Sequence, residues 1–135
     1  MPDPTLLIVD DEIDLLDSYG GYFTRRGFTV STANSGNEAL EVVRKAPPQI
    51  IISDLNMCNG SGLHLLRSLQ KENLRPQLFA VLTGDDSPLL VELHQLKPDL
   101  VLTKPLPPSA ILKAIKERWE LVTSSQQSTA ENPNT

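Results

Sequence analysis

Asp10 and Asp11 stand side by side in the stretch LLIVDDEID, which runs from Leu6 to Asp14. They close a run of four large apolar residues, and Glu12 and Asp14 follow directly. Adjacent carboxylates repel, so a fold keeps such a pair where a cation lies between them or where water reaches both. Three more polar positions close short apolar runs in the same way: Asp54 after IIIS, Thr83 after LFAVL, and Lys104, preceded by Thr103, after LVL. The set is three carboxylates, a hydroxyl and an ammonium. Brought within about 5 Å at an effective dielectric near 20, each carboxylate pair would repel by about 3 kcal/mol. Three pairs make about 10 kcal/mol, as much as a whole domain's stability, so a counter-charge is expected. Hard oxygen donors on short side chains suit Mg²⁺, which takes one or two carboxylates together with waters and phosphate oxygens. The chemistry such a set supports is that of a phosphoryl group on or beside a carboxylate, its oxygens neutralised by metal and ammonium.

The elements that must position these residues are legible in the hydrophobic pattern. Five short runs predict strands: Thr5–Val9, Phe28–Thr32, Ile50–Ser53, Leu78–Leu82 and Leu100–Leu102. Four of them are nearly continuous in Leu, Ile, Val or Phe, the mark of strands covered on both faces by helices. The second alternates and belongs nearer an edge. Helical spacing fills the gaps. Ile13, Leu16, Gly20 and Phe23 predict a helix stopped at Gly27. Gly20 and Gly21 each cost it about 1 kcal/mol, which implies close packing or a weak helix. Ser35 with Glu38 is a capping box ahead of Leu40 and Val43. Leu63, Leu65, Leu66 and Leu69 mark a third helix. Ser87 and Pro88 read as a cap and a first helical residue before Leu89, Leu90, Leu93 and Leu96. A fifth helix buries Ile111, Leu112, Ile115 and Trp119. Strand and helix alternate five times with short connections, which implies right-handed βαβ units in an α/β fold. Ligands in open parallel sheets bind outside the carboxyl ends of the strands, and that edge is where the five polar residues fall.

The bulk numbers bound the rest. A chain of 135 residues is one domain of ordinary size. The net charge of −5 argues against a surface for nucleic acid or anionic membrane. A single cysteine, Cys58, permits no intrachain disulfide and suits a reducing cytoplasm. The N-terminus lacks the basic region of a signal peptide, and no apolar stretch approaches the roughly 20 residues a membrane helix needs. After Val122 the chain becomes TSSQQSTAENPNT, with a single charge and no aromatic residue; its composition predicts a disordered tail or linker over 122–135 after one domain at 4–121.

VDDE after the first strand, SDLNM after the third, LTG after the fourth and TKP after the fifth, in that order and at these distances, resemble the receiver domains of two-component response regulators. The resemblance spans Pro4 to Leu121. It implies a doubly wound, flavodoxin-like sheet of order 2-1-3-4-5 flanked by five helices. It also implies that Asp54 accepts a phosphoryl group from a histidine of a sensor kinase or histidine phosphotransfer protein. Asp10, Asp11, Asp54 and the backbone carbonyl of Asn56 would hold Mg²⁺. Thr83 and Lys104 would contact the phosphoryl oxygens, and Pro105 would follow a cis peptide bond. A downstream protein would read the face made by the fourth helix, fifth strand and fifth helix. Such a module is a switch in the cytoplasm and not an enzyme, beyond promoting its own phosphotransfer and dephosphorylation.

The chain departs from the family pattern at Cys58, where proline is usual, and at Ser61, where aspartate is usual. Val101 replaces the tyrosine or phenylalanine that acts as a rotamer switch, and LKPDLVLTKP replaces a Gly-Ala lead into the last strand. Asn56 and Asp85 occupy the positions that tune phosphoryl loss in the family. Taken one at a time, the acid pair would be a helix N-terminal cluster, Thr83 a strand-end residue and Lys104 a surface lysine. His64 and His94 read as surface or boundary residues, Cys58 as an inert thiol and Trp119 as packing. Two competing functions fit parts of the pattern. One is a Mg²⁺-dependent phosphohydrolase with an aspartate nucleophile, although its D-x-D spacing is missing. The other is a receiver-like interaction module that takes no phosphoryl group.

Overall fold

A computed structural model describes residues 4–57, 61–84 and 88–131, with side chains described as far as Leu121. Cys58, Asp85 and Ser87 lie outside the described residues. The chain alternates β1 (Thr5–Val9), α1 (Ile13–Arg25), β2 (Thr29–Ala33), α2 (Gly36–Lys45), β3 (Ile50–Asp54), α3 (Gly62–Lys71), β4 (Leu78–Thr83), α4 (Leu90–Gln95), β5 (Leu100–Thr103) and α5 (Pro108–Glu131). The strands form one parallel sheet in the order β2-β1-β3-β4-β5.

Alternation along the central strands builds a core on each face of the sheet. Leu7, Val9, Ile51, Phe79 and Val81 point to one side and meet Ala39, Leu40, Val43, Leu63, Leu66, Leu69 and Leu93 of α2, α3 and α4. Leu6, Ile8, Ile50, Ile52, Leu78, Ala80 and Leu82 point to the other and meet Leu16, Tyr19 and Phe23 of α1 with Ile111, Leu112 and Ile115 of α5. Every residue of β3 and β4 is buried, as nearly continuous apolar runs require. β2 is an edge strand. β5 is the opposite edge, and its three apolar residues are only partly buried; an apolar run of three does not separate an edge from a centre.

Local signals explain most element ends. Glu38 N–H donates to Ser35 Oγ at 3.1 Å, and Glu38 Oε1 accepts from Asn34 N–H at 2.7 Å, so the box closes one residue early. Gly27 has φ 98°, open to glycine, and stops α1. β2 starts at Thr29 and not at Phe28, because Phe28 N–H is still bonded to Phe23 O at 3.1 Å. α1 is continuous through Gly20 and Gly21, and a Cβ at Gly20 would make only ordinary contact, 3.7 Å from Thr32. Its buried stripe is Leu16, Tyr19 and Phe23; Ile13, in the first turn, stays 55% exposed.

One further expectation is corrected. Pro88 is not the first helical residue of α4. Leu93 N–H donates to Leu89 O at 2.9 Å, so Leu89 opens the first helical turn and Pro88 precedes it in a turn. The backbone helix of α5 runs on to Glu131. No Gly or Pro interrupts the sequence between Pro108 and Pro133.

The lead into β5 carries Pro98 after Lys97, which has φ 55°. Arg75 holds this loop through Leu96 O (3.2 Å), Lys97 O (2.6 Å) and Asp99 Oδ2 (3.2 Å). Asp99 Oδ2 also accepts from Phe79 N–H at 2.7 Å. Trp119 packs against the α1–α5 core. It lines a cavity of about 200 Å³ with Phe28, Ile50 and Ile115.

Candidate functional site

Backbone hydrogen bonds carry the parallel ladder past the strand ends and hold the polar residues in place. Asp10 N–H donates to Ala33 O (3.2 Å), Leu55 N–H to Leu82 O (2.9 Å) and Lys104 N–H to Thr83 O (2.9 Å). Asp54 pairs with Leu82 in register, and Thr83 with Thr103. Residues far apart in sequence therefore share one sheet edge.

Carboxylate oxygens of Asp10, Asp11 and Asp54 all lie within 4.8 Å of one another. Asp10 and Asp54 are buried, and Asp11 is exposed. Lys104 Nζ lies 3.2 Å from Asp54 Oδ1 and 3.7 Å from Asp10 Oδ2. Asp10 Oδ1 accepts from Glu12 N–H at 2.9 Å, whereas its Oδ2 is buried with no hydrogen-bond partner among the described residues. Burial pushes the Asp54 carboxyl above the usual carboxylate range; Lys104 opposes this, and Asp10 and Asp11 add to it. Burial disfavours the Lys104 ammonium, but Asp54 and Asp10 outweigh it and hold the amine above its ordinary value. The Lys104 ammonium lies against two of the three carboxylates, those of Asp54 and Asp10. Oxygen donors of this kind, one of them buried and unbonded, fit Mg²⁺.

Thr83 is buried, and its hydroxyl donates to Gly84 O at 3.0 Å. Asn56 is exposed beside the cluster. The Lys104–Pro105 peptide is cis. Val101 packs against the core shared with α2, α3 and α4. Ser61, at the departure from the family aspartate, caps α3 by accepting from His64 N–H at 3.1 Å; serine and aspartate are equivalent caps. His64 and His94 are exposed on helices.

Three residues escaped the sequence reading. Glu12 supplies the N–H that fixes Asp10. Gly62 presses against the backbone behind Asp54: a Cβ there would fall 2.5 Å from Asp54 O, and its N–H donates to Leu55 O at 2.9 Å. Tyr19 donates its hydroxyl to Leu106 O at 3.3 Å. The sequence reading put Gly20 and not Tyr19 on the buried face of α1, although Leu16, Tyr19 and Phe23 also share a three-and-four spacing that marks a core stripe.

Residues 6–116 match the model of the response regulator receiver domain. The chain belongs to this family. Among curated proteins, the receiver is 33% identical over 115 residues to the transcriptional regulatory protein GlrR of Escherichia coli (strain K12), covering 85% of this chain and 26% of that one. It is 29% identical over 130 residues to the transcriptional regulatory protein TorR of Escherichia coli O157:H7, covering 94% and 56%. The receiver thus spans about a quarter to a half of these relatives' lengths. Among solved structures it is similar to FixJ-N, with a TM-score of 0.78 and 30% identity over 89% of this chain and 96% of that one. Chemotaxis protein CheY4 of Vibrio cholerae gives a TM-score of 0.76 with 27% identity over 85% and 98%. The receiver is therefore a signalling module of two-component systems with the flavodoxin-like order 2-1-3-4-5. Among the described residues no helix is long and apolar enough to cross a membrane.

Proposed function

We propose that this receiver takes a phosphoryl group onto Asp54 from a phosphohistidine of a sensor kinase or histidine phosphotransfer protein in the cytoplasm. The observation that carries the reading is the ammonium of Lys104 beside Asp54, in one cluster with the carboxylates of Asp10 and Asp11. A carboxylate oxygen of Asp54 forms the new P–O bond, the P–N bond to the donor histidine breaks, and the imidazole leaves. Lys104 neutralises the phosphoryl oxygens, and Thr83 exchanges its bond to Gly84 O for one to the phosphoryl group. Asp10, Asp11, Asp54 and the Asn56 carbonyl hold Mg²⁺, which when bound offsets charge on the transferring group. The module promotes this transfer and the later hydrolysis of its own acyl phosphate, and no other reaction.

The inward turn of Thr83 repacks the face of α4, β5 and α5, to which a downstream protein binds. With Val101 in place of an aromatic ring, the change passes through packing. The relatives named above are transcriptional regulatory proteins. The acidic charge of the present 135 residues gives no surface for nucleic acid, so contact with DNA belongs to whatever partner or further domain the switch controls.

Intact mass after incubation with acetyl phosphate tests the reading. One added phosphoryl group in the wild type, absent in Asp54→Asn and absent without Mg²⁺, is the expected result. Addition that persists in Asp54→Asn, or no addition under any condition, would overturn it.

A further inference from the structure

Lys104 is a long, flexible side chain, so the place of its ammonium depends on where its backbone is held. One side of that backbone is pinned to β4 by the bond from Lys104 N–H to Thr83 O at 2.9 Å. Two residues on, Leu106 O accepts from the hydroxyl of Tyr19 at 3.3 Å, across 87 positions of sequence. Tyr19 is 6% exposed and wedged between the sheet and α5. Its ring has few rotamers to lose, so the hydroxyl is a fixed anchor. Glu12, Leu15, Tyr19, Lys104, Pro105 and Leu106 border an open groove of about 440 Å³. Packing alone would be met equally by phenylalanine; what tyrosine adds is the donor.

We propose that Tyr19 is a positioning residue for Lys104. Its phenol ties the loop after Pro105 to α1 and so sets the ammonium at 3.2 Å from Asp54 and 3.7 Å from Asp10. The inference rests on the phosphoacceptor reading of Asp54 for its effect on transfer, and on the apo structure alone for its effect on the loop.

Tyr19→Phe keeps the packing and removes the hydroxyl, so the test compares it with the wild type in two backgrounds. Phosphoryl uptake from acetyl phosphate at saturating Mg²⁺ should slow about three- to tenfold, the worth of one hydrogen bond. The Mg²⁺ dependence of uptake should not move, because no proposed metal ligand is displaced. In a Lys104→Met background the same substitution should cause no further slowing, since it acts through Lys104. A merely structural role would slow both backgrounds equally, and that result, or an unchanged rate in the wild-type background, would overturn the proposal. Amide NMR of the apo protein reads the tether without any transfer. Displaced signals at Lys104 and Leu106 in Tyr19→Phe are expected; unmoved signals there would overturn the proposal even in an active protein. Should the wild type take no phosphoryl group, the reading of Asp54 fails by that result, while the NMR result alone still decides whether Tyr19 holds the loop.

Discussion

At the scale of single residues, Asp54 carries a cost that its proposed role as phosphoacceptor would explain. Its carboxyl is raised by burial more than Lys104 lowers it, so the folded apo protein holds a proton there more tightly than the unfolded chain does. A raised acid binds more protons in the folded state, and stability therefore falls as pH rises from the ordinary carboxylate value through the raised one. Asp54→Asn removes this slope. Thermal melts of the apo protein across mildly acidic to neutral pH should show the variant more stable than the wild type at neutral pH, with the gap closing as pH falls. A gap that widens on acidification would contradict burial as the dominant cause. Arg44 and Glu72 show the opposite sign: their bidentate pair (2.9 and 2.6 Å) holds the glutamate below its usual range, so any stability it adds is lost as pH falls. Both ends are solvent-exposed, and such pairs contribute little.

At the scale of elements, two short polar devices set where helices begin, and both can be tested. Ser35 Oγ satisfies the first turn of α2. Ser35→Ala should destabilise the protein by about 1 kcal/mol in urea unfolding, with an unchanged m-value. Gly62 is more exacting. Its Cα lies so close to the chain behind Asp54 that any Cβ must displace Asp54 O or shift the start of α3. Gly62→Ala should cost about 1–3 kcal/mol and also slow phosphoryl uptake, because the strain falls on the backbone of the proposed acceptor, Asp54. Retention of both full stability and full uptake would show that the loop relaxes freely. Ser61, by contrast, replaces the usual aspartate with a side chain that caps α3 equally well, so this departure is conservative in effect.

At the scale of the whole molecule, the acid cluster draws on the ends of β1 and β3, neither of which makes a site alone. A ligand that needs both of them binds only the folded state and stabilises it by mass action. At free Mg²⁺ ten times its dissociation constant the gain is about 1.4 kcal/mol, or roughly 4–6 °C in Tm. Chelation should return the melt to the apo value, and Asp54→Asn should reduce the shift. An identical melt with and without millimolar Mg²⁺ would count against a metal site built from Asp10, Asp11 and Asp54.

Much of this organisation was legible in the sequence because it depends on local order. Apolar runs bury strands, helical spacing buries one face of each helix, and an alternation of the two leaves few topologies. The polar residues that close each strand were visible as Asp10, Asp11, Asp54, Thr83 and Lys104 before any coordinates. The strand order came from the family resemblance and not from the pattern of residues. Other features depended on contacts that no local pattern encodes. The edge position of β5, the exposure of Ile13 and the start of α4 at Leu90 were settled only in the folded chain. The short distances at the cluster, the clearance around Gly62 and the bond from Tyr19 to Leu106 join residues whose separation in the chain carries no information about their separation in space. Sequence alone determined which groups face the chemistry; only the packed sheet decided how far apart they stand, because that distance is set by the strands and helices between them.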